Sequence, residues 1–496
     1  MIFPMHHNLI GGEWLPARSG KTILNLNPAN HADVVGAFPS SHAEDVELAV
    51  TAAQKAFVSW RLVPAPKRAE ILLRAGILLQ QRKEQYARDM TREMGKVLAE
   101  TRGDVQEAID EAFYVAGEGR RLFGVTTPSE LPEKFAMSVR MPVGVVGLIT
   151  PWNFPMAIPS WKLFPALLAG NTCVIKPAID TPLSTYNLVR TLVDAGLPPG
   201  VVNIVCGTGT AVGEALVEHP RVRAISFTGS SAVGSLVGQR AAASFKAVSL
   251  EMGGKNAQIV MDDANLDLAL DGALWGAFGT TGQRCTATSR ILLQKGIAAE
   301  FADKLAERAA KLKVGDGLDE SVEVGPQINA GQIETSTKYV GIALAEGAEL
   351  LTGGHALTNG SYAHGTFFKP TVLRGVKPEM RIAREEVFGP VVALIEFNDF
   401  EQAVQIANSI DYGLSTSIYT KNVNQAFAAI RDLEAGITYI NAPTIGAEVH
   451  LPFGGVKRTG NGHREGLGAL EFFTTWKAVY VDYSDKLQRA QIDNAE

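Results

Sequence analysis

Cysteine is scarce. Cys173, Cys206 and Cys285 are the only three in 496 residues, too few for a disulfide framework, and no CxxC pair occurs. None of the nine histidines falls in an HExxH pattern, so no zinc ligand set is visible and no metal is expected. No uncharged apolar run reaches the roughly 18 residues that a membrane span needs. The N-terminal stretch MIFPMHHNLIGGEW lacks a basic region followed by a long apolar one, so it does not read as a signal peptide. Basic charge is not in excess either. The net charge is −6 and lysine and arginine form no run, which argues against nucleic acid as a partner. The expectation is a cytoplasmic protein with reduced thiols and no membrane partner.

What is present is ordinary for a large globular chain. Apolar residues make up 46% and charged residues 20%, enough for a core that needs no disulfide or metal to hold it. From about 43 to 125 apolar residues recur at three- and four-residue steps, which predicts helices. FAMSVRMPVGVVGLIT reads as extended. From 151 to about 255 short apolar strands alternate with helices, as in VVNIVCG, TAVGEALVEHP and VRAISFTG. That rhythm predicts an α/β fold with a parallel, doubly wound sheet. A second alternation runs from about 257 to 470, so two α/β domains are expected. The C-terminal TWKAVYVDY alternates like a strand. It could pair with the extended segment near 135–148 or with another subunit.

Several stretches carry candidate chemistry, and each has a plainer explanation. GTGTAVG (207–213) holds a GxG whose third Gly comes one place late for a dinucleotide fingerprint, so a strand-to-helix turn explains it equally well. In FTGSSAVG (227–234) Gly229 and Ser230 open a helix whose free N–H groups and positive dipole end suit a phosphate. An N-capped helix without a ligand fits as well. PWNFP (151–155) stiffens a loop through its prolines and could present Asn153, or could be a rigid crossover. LEMGGKN (250–256) ends a strand on Glu251, a base or acid, or else a cap or ion pair. EEVFGP (385–390) sets two acids beside Phe388, or forms a charged turn. Cys285, in TTGQRCTA, is either a nucleophile or a buried small hydrophobe. A nearby positive charge or helix N-terminus would favour its thiolate.

Taken in order, PWNFP, VIKP, FTGS, LEMGGKN, GQRC, EEVFGP and PFGG (452–455) resemble the aldehyde dehydrogenase superfamily over about residues 25–480. A thiol hydrolase does not account for the phosphate loop or for EEVFGP. The resemblance implies that Cys285 is the nucleophile, Glu251 the general base and Asn153 an oxyanion donor beside the Cys285 N–H. It implies a coenzyme, NADP or NAD, held by Lys176 on the adenosine ribose and by Gly229 and Ser230 at the pyrophosphate. Glu386 would bind the nicotinamide ribose, with Phe388 and Trp152 packing nearby. The presence of Glu251 favours hydrolysis to a free acid over transfer to coenzyme A. The implied fold has a Rossmann-like coenzyme domain (1–121 and 143–253), an α/β catalytic domain (254–470) and a small β oligomerisation arm (122–142 and 471–496). The arm would pair across subunits in a dimer or tetramer. An inactive structural relative is the remote alternative.

Two details bear on coenzyme and substrate. NAD-preferring relatives often place an acid three residues after the ribose lysine. Here Ile179 stands there and Asp180 follows, so NADP is expected to be accepted. Arg284 before the nucleophile, and PTIGAEVH with Ile445, Gly446 and Ala447, resemble relatives acting on aminoadipic semialdehyde. An arginine and oriented amides make an anion site. The expected substrate is a carboxylate-bearing semialdehyde, with 2-oxoglutarate semialdehyde (2,5-dioxopentanoate) favoured. Succinic and aminoadipic semialdehydes are alternatives. Phe154, Trp161 and Phe453 would line the tunnel, so a plain aliphatic or aromatic aldehyde is another.

Overall fold

The computed structural model describes residues 3–493. Three helices come early, Ala43–Trp60, Ala65–Met94 and Leu98–Glu118, as the 43–125 periodicity predicts. The second starts on a proline-rich turn, with Pro64 as N-cap and Pro66 in the first turn, where missing N–H groups cost nothing. It stops at Gly95, whose φ of 90° is the left-handed conformation that ends helices. Their apolar faces pack on the first sheet through residues such as Trp60, Leu79, Met90 and Ala108.

That sheet has seven strands. Five are parallel, in the spatial order Ala247–Glu251, Val222–Thr228, Val145–Ile149, Thr172–Lys176 and Val202–Ile204. The hairpin Asn8–Ile10 with Glu13–Leu15 adds an antiparallel edge. Val145–Ile149 and Thr172–Lys176 are buried throughout, as strands covered on both faces must be. Strand order reverses between Val145–Ile149 and Val222–Thr228. Open α/β sheets bind ligands in the crevice at the carboxyl ends of strands where the order reverses. PWNFP and FTGS leave those two ends.

The second seven-stranded sheet runs Glu349–Thr352, Thr371–Arg374, Val391–Phe397, Thr288–Gln294, Asn256–Val260, Ser415–Tyr419 and Ile437–Ile440. All neighbours are parallel except the first pair. LEMGGKN is the junction between the sheets. Glu251 ends a strand of the first, and Asn256 begins a strand of the second.

The C-terminal strand, Thr474–Asp482, pairs antiparallel with Lys134–Pro142 of the same chain, from Thr474 opposite Pro142 to Asp482 opposite Lys134. Val125–Pro128 completes this three-stranded sheet. The first 42 residues contribute strands that periodicity does not reveal, including the pair Thr22–Asn27 with Asn30–Pro39. Among the described residues no helix is long and apolar enough to cross a membrane. Residues 494–496, assigned above to the arm, lie outside the described residues.

Candidate active site at the junction of the two sheets

A cavity of about 400 Å³ opens where the sheets meet, and Cys285, Glu251 and Arg284 all form part of its wall. Phe154, Trp161 and Phe453 supply apolar surface, and Gly446 and Ala447 contribute backbone. Trp161 and Phe453 meet edge to face, 5.3 Å between centroids. Ile445 departs from expectation. It is 2% exposed, in the packed interior rather than on the cavity wall, because Thr444 beside it is tied inward through Thr286 O at 2.7 Å.

The nucleophile loop is strained and tightly held. Thr280, Thr281 and Gly282 have φ of 52°, 57° and 68°, a region that β-branched residues rarely adopt. Only glycine fits at 282, since a Cβ there would lie 2.2 Å from Gly389 O. Beyond the turn, Asn256 Nδ2 donates to Cys285 O at 2.7 Å and to Ala287 O at 2.9 Å. Cys285 is half-buried. Burial pushes its thiol up to about 12, with Glu386 and Glu251 adding to the shift. The Thr286 N–H and Arg284 pull the other way. The positive neighbour is present, then, but two carboxyl groups and burial outweigh it.

Glu251 is 3% exposed. Its strand pairs with Val222–Thr228, and Gly229 N–H donates to Glu251 O at 3.0 Å. The PFGG segment closes over its carboxyl group. Gly454, at φ 151°, has no room for a side chain, because a Cβ would fall 2.5 Å from Glu251 Oε1. Burial and Glu465 push the Glu251 carboxyl well above the usual carboxylate range, opposed by Lys162 and Arg464. Lys162 is fully buried, paired with Glu465 and donating to Ser226 Oγ at 2.8 Å.

Asn153 is 2% exposed, and its side-chain amide makes no hydrogen bond to any described residue. It adjoins Phe154 of the cavity wall. Arg284 is on the wall but is not free. Its Nε donates to Thr280 Oγ1 at 2.9 Å and one terminal nitrogen donates to Glu100 Oε1 at 3.2 Å. The guanidinium also lies 5.2 Å from the Phe154 ring centroid. Lys96 stacks on the same ring at 3.6 Å while paired to Asp104 at 2.7 Å.

The remaining candidates gather along the crevice of the first sheet. Ser230 caps the twelve-residue helix Ser231–Ala242, accepting from Val233 N–H at 3.4 Å. Lys176 is 5% exposed, its ammonium donating to Pro177 O at 2.7 Å and Gly207 O at 3.3 Å. Burial pushes it down to about 8, with Cys206 and Asp180 opposing. Ile179 is at the surface. The Asp180 carboxylate accepts from the Asn329 amide at 3.1 Å. Trp152 and Phe388, from distant motifs, meet edge to face at 5.3 Å. Glu386 accepts from Gly254 N–H at 3.0 Å. Burial pushes it up to about 7, opposed by that N–H and Lys255. EEVFGP is therefore more than a charged turn. Glu385 pairs outward with Arg381 at 2.7 Å, and Glu386 turns in.

Glu100, Asp104, Glu107 and Glu465 also line the cavity, and sequence reasoning passed over all four, as it did Lys162. The first three sit on the helix Leu98–Glu118, where the 3.6-residue period marks which face is covered but not what covers it.

Known proteins resemble the chain over nearly its whole length. A model of the aldehyde dehydrogenase family matches residues 14–479. The alpha-ketoglutaric semialdehyde dehydrogenase of Bacillus subtilis is 45% identical over 475 residues, 96% of this chain and 97% of that protein. The 2,5-dioxopentanoate dehydrogenase of Saccharolobus solfataricus is 40% identical over 477 residues, 95% of this chain and 98% of that protein. The solved structure of an NAD-dependent aldehyde dehydrogenase from Sinorhizobium meliloti superposes with a TM-score of 0.95 at 37% identity, covering 98% of this chain and 96% of that one. On sequence and fold alike, the chain belongs to the aldehyde dehydrogenase family.

Proposed function

We propose that the enzyme oxidises a carboxylate-bearing semialdehyde, foremost 2-oxoglutarate semialdehyde, to the free acid with NADP or NAD. The substrate reading rests on Arg284, which lines the cavity that also holds Cys285 and Glu251. A guanidinium has five N–H donors, so one that already binds Thr280 and Glu100 keeps capacity for a substrate carboxylate. Burial and Asp104 push Glu107 up to about 8. This shift favours the neutral form and so lessens its repulsion of an anion. The Bacillus and Saccharolobus relatives, whose names specify this aldehyde, support the same choice.

Each residue's role follows from its surroundings. Cys285, once deprotonated, attacks the aldehyde carbon and forms a thiohemiacetal. The Asn153 amide, which makes no hydrogen bond to any described residue, and the Cys285 N–H stabilise the oxyanion. A bound nicotinamide coenzyme supplies the hydride acceptor. Glu251 then takes a proton from the water that cleaves the thioester. The residues present suit a dinucleotide. Lys176 is a buried ammonium satisfied only by carbonyls, and the Ser230-capped helix ends in N–H groups that favour a phosphate. Glu386 and the Trp152–Phe388 pair would hold the nicotinamide end. We also assign 1–121 with 143–253 to coenzyme binding, 254–470 to catalysis and 122–142 with 471–496 to assembly. The exposed Phe135, Trp476 and Tyr480 of the three-stranded sheet support contact with a second copy.

Replacing Arg284 by alanine is expected to raise KM for 2-oxoglutarate semialdehyde about 10- to 100-fold, the worth of one charged hydrogen-bonded contact. KM for a neutral aldehyde of equal length should change little. Equal changes for both would overturn the carboxylate role. For the coenzyme, Ile179 offers no charge to a 2′-phosphate and Asp180 is occupied by Asn329. Initial rates are therefore expected to give a kcat/KM for NADP equal to or above that for NAD. A preference for NAD of roughly 100-fold or more, about 2.7 kcal/mol, would contradict this.

A further inference from the structure

We propose that Glu100 is a positioning residue for the nucleophile, holding the strained turn that fixes Cys285 in the cavity. The turn Thr280–Gly282 is left-handed at all three residues. Glycine reaches that conformation without penalty, but threonine does not. Something must therefore hold Thr280 and Thr281 there. Thr281 is tied by its hydroxyl to Gly325 O at 3.0 Å. Thr280 is tied at its carbonyl by the Gln283 N–H at 2.9 Å, and at its own N–H and hydroxyl by Glu100. Its N–H lies 2.8 Å from both carboxylate oxygens, and its hydroxyl donates to Oε2 at 3.2 Å.

The same carboxylate reaches past the turn. Arg284, the residue before the nucleophile, donates to Glu100 Oε1 at 3.2 Å and to Thr280 Oγ1 at 2.9 Å. Glu100, Thr280 and Arg284 thus close a ring of contacts that spans the loop from its first strained residue to the neighbour of Cys285. On the far side Gly282 packs on Gly389, and Gln283 accepts from Ile328 N–H at 2.9 Å. Glu100 supplies the clamp from the helix Leu98–Glu118, which is itself anchored in the core of the first sheet. The nucleophile belongs to the second sheet. Glu100 therefore sets the position of the thiol relative to Glu251, which belongs to the first.

A neutral aldehyde such as butanal keeps the test independent of the substrate carboxylate. Glu100→Ala should lower kcat for butanal about 10- to 100-fold, as expected when a reacting group is misplaced by about 1 Å, while KM changes by less than about threefold. Thr280→Gly in the same chain should restore most of the lost kcat, because glycine no longer needs the clamp. Thermal melting of each variant accompanies the kinetics. A merely structural Glu100 would lower the melting temperature without rescue by Thr280→Gly, and that result overturns the proposal. Where Glu100→Ala does not fold, Glu100→Gln keeps the shape but weakens the acceptors, and its kcat should fall at least about threefold, again recovered with Thr280→Gly. Unchanged kcat in Glu100→Gln or Glu100→Ala also overturns it.

Discussion

Replacing Cys285 by alanine is expected to lower kcat for any aldehyde by at least about 10⁴-fold, since the nucleophile carries the covalent step. Coenzyme affinity should be nearly unchanged, because the Lys176 and Ser230 end of the crevice is separate from the thiol. No other cysteine can substitute. Cys173 lies inside a buried strand and Cys206 is 1% exposed. Aldehyde-dependent nicotinamide absorbance measures the first quantity, and fluorescence titration with coenzyme the second. Burial and two carboxyl groups push the Cys285 thiol up. Its reactivity must therefore come from a base or from a change of surroundings during turnover. Serine at 285 should be almost as inactive, since an alcohol is harder still to deprotonate.

Replacing Glu251 by glutamine is expected to separate the two halves of the reaction. Acyl transfer to Cys285 requires the thiol and the oxyanion donors. Release of the acid requires a base for water, worth about 10²- to 10⁴-fold. The variant should give a burst of close to one reduced coenzyme per active site, followed by slow turnover. The pH dependence has a definite sign. Burial and Glu465 raise the Glu251 carboxyl well above the usual carboxylate range, and only its ionised form can accept a proton. Turnover limited by acyl hydrolysis should therefore fall as pH drops through that raised value and level off above it. The glutamine variant should lose this limb. A glutamine variant with normal steady-state turnover would assign the base to another group.

Much of the site was legible because its residues lie in short motifs whose local shape follows from chain geometry. Prolines flank Asn153, a strand ends at Glu251, and a cap opens the helix at Ser230. What those motifs meet was not legible. The carboxylate on Arg284 comes from Glu100, 184 positions away, on a helix whose periodicity shows a buried face and nothing more. Lys162 and Glu465 lie 303 positions apart, and their pairing beside Glu251 is a product of sheet topology. The same limit explains Cys285. The sequence shows Arg284 beside it but not which groups face the thiol, and the fold brings Glu386 and Glu251 to bear on it. Ile445 departs from its neighbours for a related reason: three consecutive residues of one loop do not all face the same way. The doubly wound sheets could be read from the alternation of strand and helix. The N-terminal strands could not, because Asn8–Ile10 and Glu13–Leu15 have only three residues each, and Thr22–Asn27 buries Asn25 and Asn27 while exposing Leu24 and Leu26.

The central claim is that aldehyde oxidation passes through an acyl group on Cys285 whose release depends on Glu251. The direct measurement is mass spectrometry of the Glu251→Gln variant, quenched seconds after mixing with 2-oxoglutarate semialdehyde and coenzyme. The account predicts one acyl group per chain, located on the peptide that contains Cys285. No adduct, or an adduct on any other residue, would contradict it.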